Sequence, residues 1–136
     1  GKQDIASAMF DPQTDLRKTI ILEEEPVEFE RNENNSNHTV KLLSYKPQKV
    51  DFSVSTNESA LFFLSDTYYP GWKAYIDGRQ TKIYRADYTF RAVVVPKGNH
   101  VVDFRYEPLS FTLGFWSTAL GLLLLTAITA KIRLKL

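Results

Sequence analysis

An uncharged run of 22 residues, from Leu109 to Ala130, constrains this chain more than any other feature. It reads LSFTLGFWSTALGLLLLTAITA and is followed by Lys131, Arg133 and Lys135. As a helix rising about 1.5 Å per residue it is roughly 33 Å long, enough for the hydrocarbon core of a bilayer. The core helix of a soluble protein is the competing reading, but such helices usually carry a polar stripe. Here the polar side chains are Ser110, Thr112, Ser117, Thr118, Thr126 and Thr129, and none is ionisable. Basic residues beside a span mark its cytoplasmic side. The expectation is a membrane helix at 109–130, a basic cytoplasmic tail at 131–136, and residues 1–108 outside the cytoplasm. Gly114 and Gly121, near Ser117 and Thr118, would give this helix a small-residue face suited to close packing in lipid.

The remaining hundred or so residues can bury a modest core of about one domain. There is no cysteine, which excludes disulfides, cysteine catalysis and thiolate metal sites. The net charge of +1 gives no reason to expect nucleic acid. The charge is unevenly spread: residues 1–36 hold nine acids and four bases, whereas residues 67–136 hold ten bases and four acids. The basic end is therefore the end next to the hydrophobic run, which suits anionic headgroups or an anionic polymer. Gly1-Lys2-Gln3-Asp4 has no apolar signal-peptide core, so an external domain here is expected to be the C-terminal part of a larger membrane protein.

Along the chain, residues 1–17 read as a lead-in with one helical turn at Ile5–Phe10, ended by Asp11-Pro12. Residues 18–108 read as β-structure. Lys18–Glu24 is the first strand expected, and Arg31–Asn37 a polar loop. Period-two alternation follows at Val40 and Leu42, at Val50, Phe52 and Val54, at Trp72, Ala74 and Ile76, and at Val102, Phe104 and Tyr106. Ala60–Leu64 and Phe90–Val95 are continuous apolar runs; the first predicts a central strand buried on both faces. Asp77-Gly78 predicts a two-residue hairpin, with Ile76 facing Arg79, Ala74 facing Thr81, Trp72 facing Ile83 and Lys73 facing Lys82. Pro70-Gly71 suits a type II turn, and Lys97-Gly98-Asn99 a second tight turn between antiparallel strands. The whole predicts an antiparallel β-sandwich of jelly-roll or immunoglobulin-like type, followed by one C-terminal hydrophobic helix.

One constellation carries chemistry. Tyr69, Trp72, Lys73, Tyr75, Lys82, Tyr84, Arg85 and Arg91 fall within 23 residues, Arg79, Tyr88 and Phe90 lie among them, and Tyr68 directly precedes them. Tyrosine and tryptophan combine an apolar face with a polar tip and can stack on sugar rings. Lysine and arginine suit phosphate and carboxylate groups. The eight residues form a glycan or anion contact on this reading. The alternatives are core aromatics beneath a solvated cationic face, and an interfacial belt of tyrosine and tryptophan with basic neighbours. His38 and His100 alone make no metal site, which needs three or four ligands. Asp66 and Asp77 could do acid–base work only if folding joined them. No nucleophile, P-loop or dinucleotide motif is present, so no catalytic, cofactor-binding or metal-binding residue is assigned.

From Asp66 to Pro108 the chain resembles the C-terminal end of the YfhO family of bacterial membrane proteins. Tyr69-Pro70-Gly71-Trp72, Asp77-Gly78, Tyr84-Arg85-Ala86, Phe90-Arg91-Ala92-Val93, Pro96-Lys97-Gly98-Asn99-His100 and Tyr106-Glu107-Pro108 carry the resemblance, with an apolar helix directly after them. Phe10-Asp11-Pro12 and Glu23-Glu24-Glu25 resemble the start of the same region. Asp87 stands where asparagine is more usual. The resemblance implies a multi-pass glycosyltransferase of the GT-C type that takes a sugar from a polyprenyl-phosphate lipid to modify teichoic acids or other surface glycans. Its catalytic acid belongs to an N-terminal loop with no counterpart here. The implied role is a non-catalytic external accessory domain, with membrane lipid, a surface glycan or polyprenyl-phosphate sugar, and the rest of the parent protein as partners. A structural or protein-interaction module tethered to the membrane is the alternative, and a stand-alone hydrolase a remote third. The implied location is the bacterial cell membrane.

Overall fold

The computed structural model describes residues 7, 10–15, 19–26 and 37–133. Most of the helical turn at Ile5–Phe10, the start of the Lys18–Glu24 strand and most of the Arg31–Asn37 loop lie outside the described residues. The chain divides into two compact units, Gly1–Tyr106 and Glu107–Leu136.

Among its described residues the first unit holds eight strands: β1 (His38–Lys46), β2 (Lys49–Thr56), β3 (Ala60–Leu64), β4 (Trp72–Ile76), β5 (Arg79–Thr81), β6 (Tyr84–Ala86), β7 (Phe90–Val95) and β8 (Gly98–Tyr106). They form a five-stranded sheet in the order β1-β2-β8-β4-β5 and a three-stranded sheet in the order β3-β7-β6. All ladders are antiparallel. Alternation explains the core. Val50, Phe52 and Val54 of β2, Ala74 of β4, and Val102 and Phe104 of β8 turn one face of the larger sheet inward. Val93 and Val95 of β7, with Phe62 and Leu64 of β3, meet them from the smaller sheet. Phe62 joins the layers, its ring centroid 4.9 Å from that of Phe52 and 6.3 Å from that of Phe104. The fold is the antiparallel sandwich expected.

Four local expectations change. Ala60–Leu64 forms an edge strand and is half-buried throughout, because the smaller sheet ends there. Pro96-Lys97 connects β7 to β8 across the two sheets, so that turn is an arch and not a hairpin. The β4–β5 ladder pairs Ile76 with Arg79 and Ala74 with Thr81 as expected, but stops at Thr81. The ladder therefore does not reach Lys82; on the other side of β4, Lys73 lies opposite Arg105 of β8. The expected strand near Ile20–Leu22 is reduced, among described residues, to one bridge between Leu22 and Ala86.

The second unit is a helix, α1 (Leu109–Arg133). Leu109–Ile132 is long and apolar enough to cross a membrane, and none of its hydrophobic window is buried by protein. Four of its hydroxyls bond to its own backbone: Ser117 and Thr118 donate to the Gly114 carbonyl at 3.0 and 2.9 Å, Thr126 to that of Leu123 at 2.8 Å, and Thr129 to that of Leu125 at 3.0 Å. Such internal satisfaction is what hydrocarbon surroundings demand.

Candidate functional site

The Asp77-Gly78 turn forms one wall of an open cleft with a mixed polar and apolar lining. Both residues adopt positive φ, 51° and 79°, as a type I′ hairpin requires. β4 pairs with β8 through Ile76 and Val102, which carries Asp77 alongside Val101 and His100. The Asp77 carboxylate accepts the Val101 backbone N–H at 2.8 Å and faces His100 Nδ1 at 2.6 Å. On its other side, His100 Nε2 lies 3.3 Å from the Lys97 carbonyl. With both ring nitrogens facing acceptors, the protonated imidazole is favoured. The Asp77 carboxylate accordingly raises the pKa of His100, and the His100 hydrogen bond, then that of Val101, lowers the pKa of Asp77.

Around this pair an open cleft of about 660 Å³ is lined by Ser59, Arg79, Gln80, Thr81 and Tyr84, with Ile76, Val94 and Pro96 as apolar patches. It offers hydroxyl, amide, carboxylate and guanidinium groups beside small apolar surfaces. From the sequence, Asp77 is a turn residue and a candidate partner of Asp66, and His100 a candidate partner of His38; the two are not joined to each other. The register of β4 against β8 joins them, and nothing local encodes that register.

Of the eight residues expected to form one contact, Tyr84 alone lines this cleft, and it is buried. The others are dispersed. Arg91 is fully buried, in ion pair with Asp66. Its guanidinium lies 4.0 Å from the centroid of half-buried Trp72 and 5.2 Å from that of Phe104. Burial pushes the Arg91 pKa down, against the pull of the Asp66 charge. Among the described residues its Nε and Nη1 find no hydrogen-bond partner; the guanidinium lies against ring faces instead. Lys82 pairs with Glu24 at 2.7 Å. Arg85 stacks 4.7 Å from the Tyr68 centroid and lies 3.7 Å from Glu23. Tyr75 lies under Arg105 at 4.3 Å, on the face of the larger sheet that also bears Lys73. Tyr69 is 61% exposed. Asp66 and Asp77 serve different partners, Arg91 and His100. Among the described residues no cluster of three or more His, Cys, Asp or Glu could hold a metal ion.

A two-sheet β-sandwich followed in the chain by a helix long and apolar enough to cross a membrane is the architecture of this chain. The sequence model of the family described as bacterial membrane protein YfhO matches residues 4–118. The chain belongs to the YfhO family of bacterial membrane proteins. It is 28% identical over 109 residues to the uncharacterized protein YfhO of Bacillus subtilis (strain 168), an alignment that covers 79% of this chain and 13% of that protein. No solved structure matches the chain.

Proposed function

We propose that this chain supplies the external accessory sandwich and a membrane span of a YfhO-family glycosyltransferase that draws sugar from a polyprenyl-phosphate lipid. The sandwich lies outside the cell, and Lys131, Arg133 and Lys135 lie in the cytoplasm, following the distribution of basic residues. The domain is not catalytic. Its part is to hold a surface glycan, such as a teichoic acid, in the Asp77–His100 cleft.

The cleft carries this reading. Its size falls within the range of small-ligand sites, which mix apolar lining with a few placed polar groups. Ser59, Gln80, Thr81, Arg79 and the Asp77–His100 pair supply donors and acceptors for sugar hydroxyls and anionic substituents, while Ile76, Val94 and Pro96 face the C–H edges of a ring. The sealed Trp72–Arg91 stack favours the second reading at that position, a structural module, because an indole stacked on an internal guanidinium is no open sugar platform.

Titration of the isotopically labelled chain with teichoic acid and neutral oligosaccharides tests the reading. Chemical-shift changes at His100, Gln80 and Thr81, reduced in a Gln80→Ala variant, support glycan holding. No change at millimolar ligand discards it and leaves the structural module.

A further inference from the structure

The sandwich has a second distinctive end, where β8 finishes at Tyr106 and only Glu107 and Pro108 precede α1. Register places a row of cations across it. Lys46 of β1 pairs with Lys49 of β2, Lys49 with Arg105 of β8, and Arg105 with Lys73 of β4. Directly paired residues share a face, so four cations stand side by side over four strands, a row about 14 Å wide at the usual strand spacing of about 4.8 Å. Like charges in such a row repel one another, and the carboxylates paired with Lys49 and Arg105 offset part of that repulsion. The carboxylates of this face stand one step back along the strands. Asp51 lies 3.0 Å from Lys49, and Asp103, 2.5 Å from Arg105 and nearly buried, is opposite Asp51. Glu107 is the acid beyond the row.

Independent of charge, the same end collects exposed tyrosines. Tyr45, beside Lys46, is 64% exposed. Tyr69, 61% exposed, belongs to the turn that leads into Trp72, and Trp72 pairs with Tyr106. Tyr88, 49% exposed, projects from the β6–β7 turn, three residues before the Arg91 that lies on Trp72. The Asp77 turn, beside Val101, lies about 17 Å away along β8, and the Pro96-Lys97 turn about 30 Å away. Tyrosine and tryptophan beside lysine and arginine are the side chains that settle at membrane–water interfaces.

We propose that the Tyr106 end of the sandwich is a lipid-docking surface. Tyr45, Tyr69 and Tyr88 sit at headgroup level, and Lys46, Lys49, Arg105 and Lys73 contact the phosphates of anionic phospholipids. The inference rests on α1 crossing a bilayer and is independent of any glycan in the cleft. It also gives Tyr69, Trp72 and Lys73 a place apart from that cleft.

The chain lacks cysteine, so single labels are clean. Gln48→Cys and Asn57→Cys, at exposed turns of the proximal and distal ends, are labelled with an environment-sensitive dye. The full chain is reconstituted in phosphatidylcholine vesicles with or without phosphatidylglycerol, and quenching by neutral aqueous acrylamide is measured. Docking is expected to protect position 48 several-fold relative to position 57, and more so with phosphatidylglycerol. Replacing Lys46, Lys49 and Lys73 by glutamine is expected to weaken docking about five-fold per charge removed. Replacing them by arginine, which keeps the charge, is expected to retain it. Millimolar glycerol phosphate is expected to leave the protection intact, since the ligand is a lipid surface and not a free phosphate. Equal quenching at 48 and 57 in phosphatidylglycerol vesicles, in a chain that floats with the vesicles, overturns the proposal. A chain that fails to float removes the span, and docking falls with it.

Discussion

Arg91 is sealed beneath Trp72, its guanidinium 4.0 Å from the indole centroid and none of its side chain open to solvent. On the far side of the ion pair, Asp66 is about one-third exposed. This stack closes the Tyr106 end of the core, where β3, β4 and β7 converge. Asp66→Ala leaves a buried cation without its counter-ion, which typically costs about 3–5 kcal/mol when the lost partner is buried and less here. A loss of about 2 kcal/mol is expected in denaturant unfolding followed by tryptophan fluorescence. Arg91→Lys is expected to destabilise as well, since an ammonium has no planar face to lay on the indole.

Phe104 tests the sandwich itself. Its side chain is fully buried between Phe62 and the Arg91–Trp72 stack. Phe104→Ala is expected to cost about 3–5 kcal/mol, the range for a buried aromatic truncated to alanine. Chemical denaturation with an unchanged helical signal from α1 would place that loss in the β-unit.

Stability should depend on pH through Asp77 and His100. The raised pKa of His100 makes a contribution that is complete below its ordinary value of 6.5 and is lost as pH rises through the higher folded value. The lowered pKa of Asp77 makes one that is complete above its ordinary value of 3.8 and is lost as pH falls through the lower folded value. The pair therefore stabilises most between about pH 4 and 6.5. NMR titration should give a His100 midpoint above 6.5 that returns toward 6.5 in Asp77→Asn, a substitution the left-handed turn tolerates.

Two glycines should respond differently. Gly78 has φ of +79° and open space where a Cβ would stand, so Gly78→Ala carries backbone strain alone, about 1–2 kcal/mol. Gly98 has φ of +133°, and a Cβ there would come within 3.0 Å of His100 Nε2. Gly98→Ala is expected to destabilise more, and to move the His100 titration midpoint because the ring is displaced. Equal effects would contradict the close approach.

The amphipathic strands and α1 were legible because each rests on local periodicity. Residues 109–130 read as a helix from composition alone, and Val50-Phe52-Val54 and Val102-Phe104 from alternation. Sheet order was not legible, because β8 lies between β2 and β4 through contacts of long sequence separation. That hid the Asp77–His100 pair, which needs β4 beside β8, and the cation row, which needs β1, β2, β8 and β4 together. Arg91 did leave a signal. It shares parity on β7 with Val93 and Val95, both core residues, so the alternation pointed its side chain inward. Reading Phe90–Val95 as a uniform apolar run concealed this, and the tyrosine-rich neighbourhood made Arg91 look like a surface contact.

The span is open to a direct perturbation. Leu123→Lys puts a charge near the centre of α1, a change that costs about 2.5–3.5 kcal/mol of insertion. The variant is expected to lose flotation with vesicles while the β-unit keeps its unfolding midpoint.

The orientation of the sandwich outside the cytoplasm is the claim on which the glycan reading stands. Single cysteines at positions 57 and 135 of the natural gene product, probed in intact cells with a membrane-impermeant maleimide, test it most directly. Position 57 is expected to label in intact cells and position 135 only after lysis. The reverse pattern would contradict it.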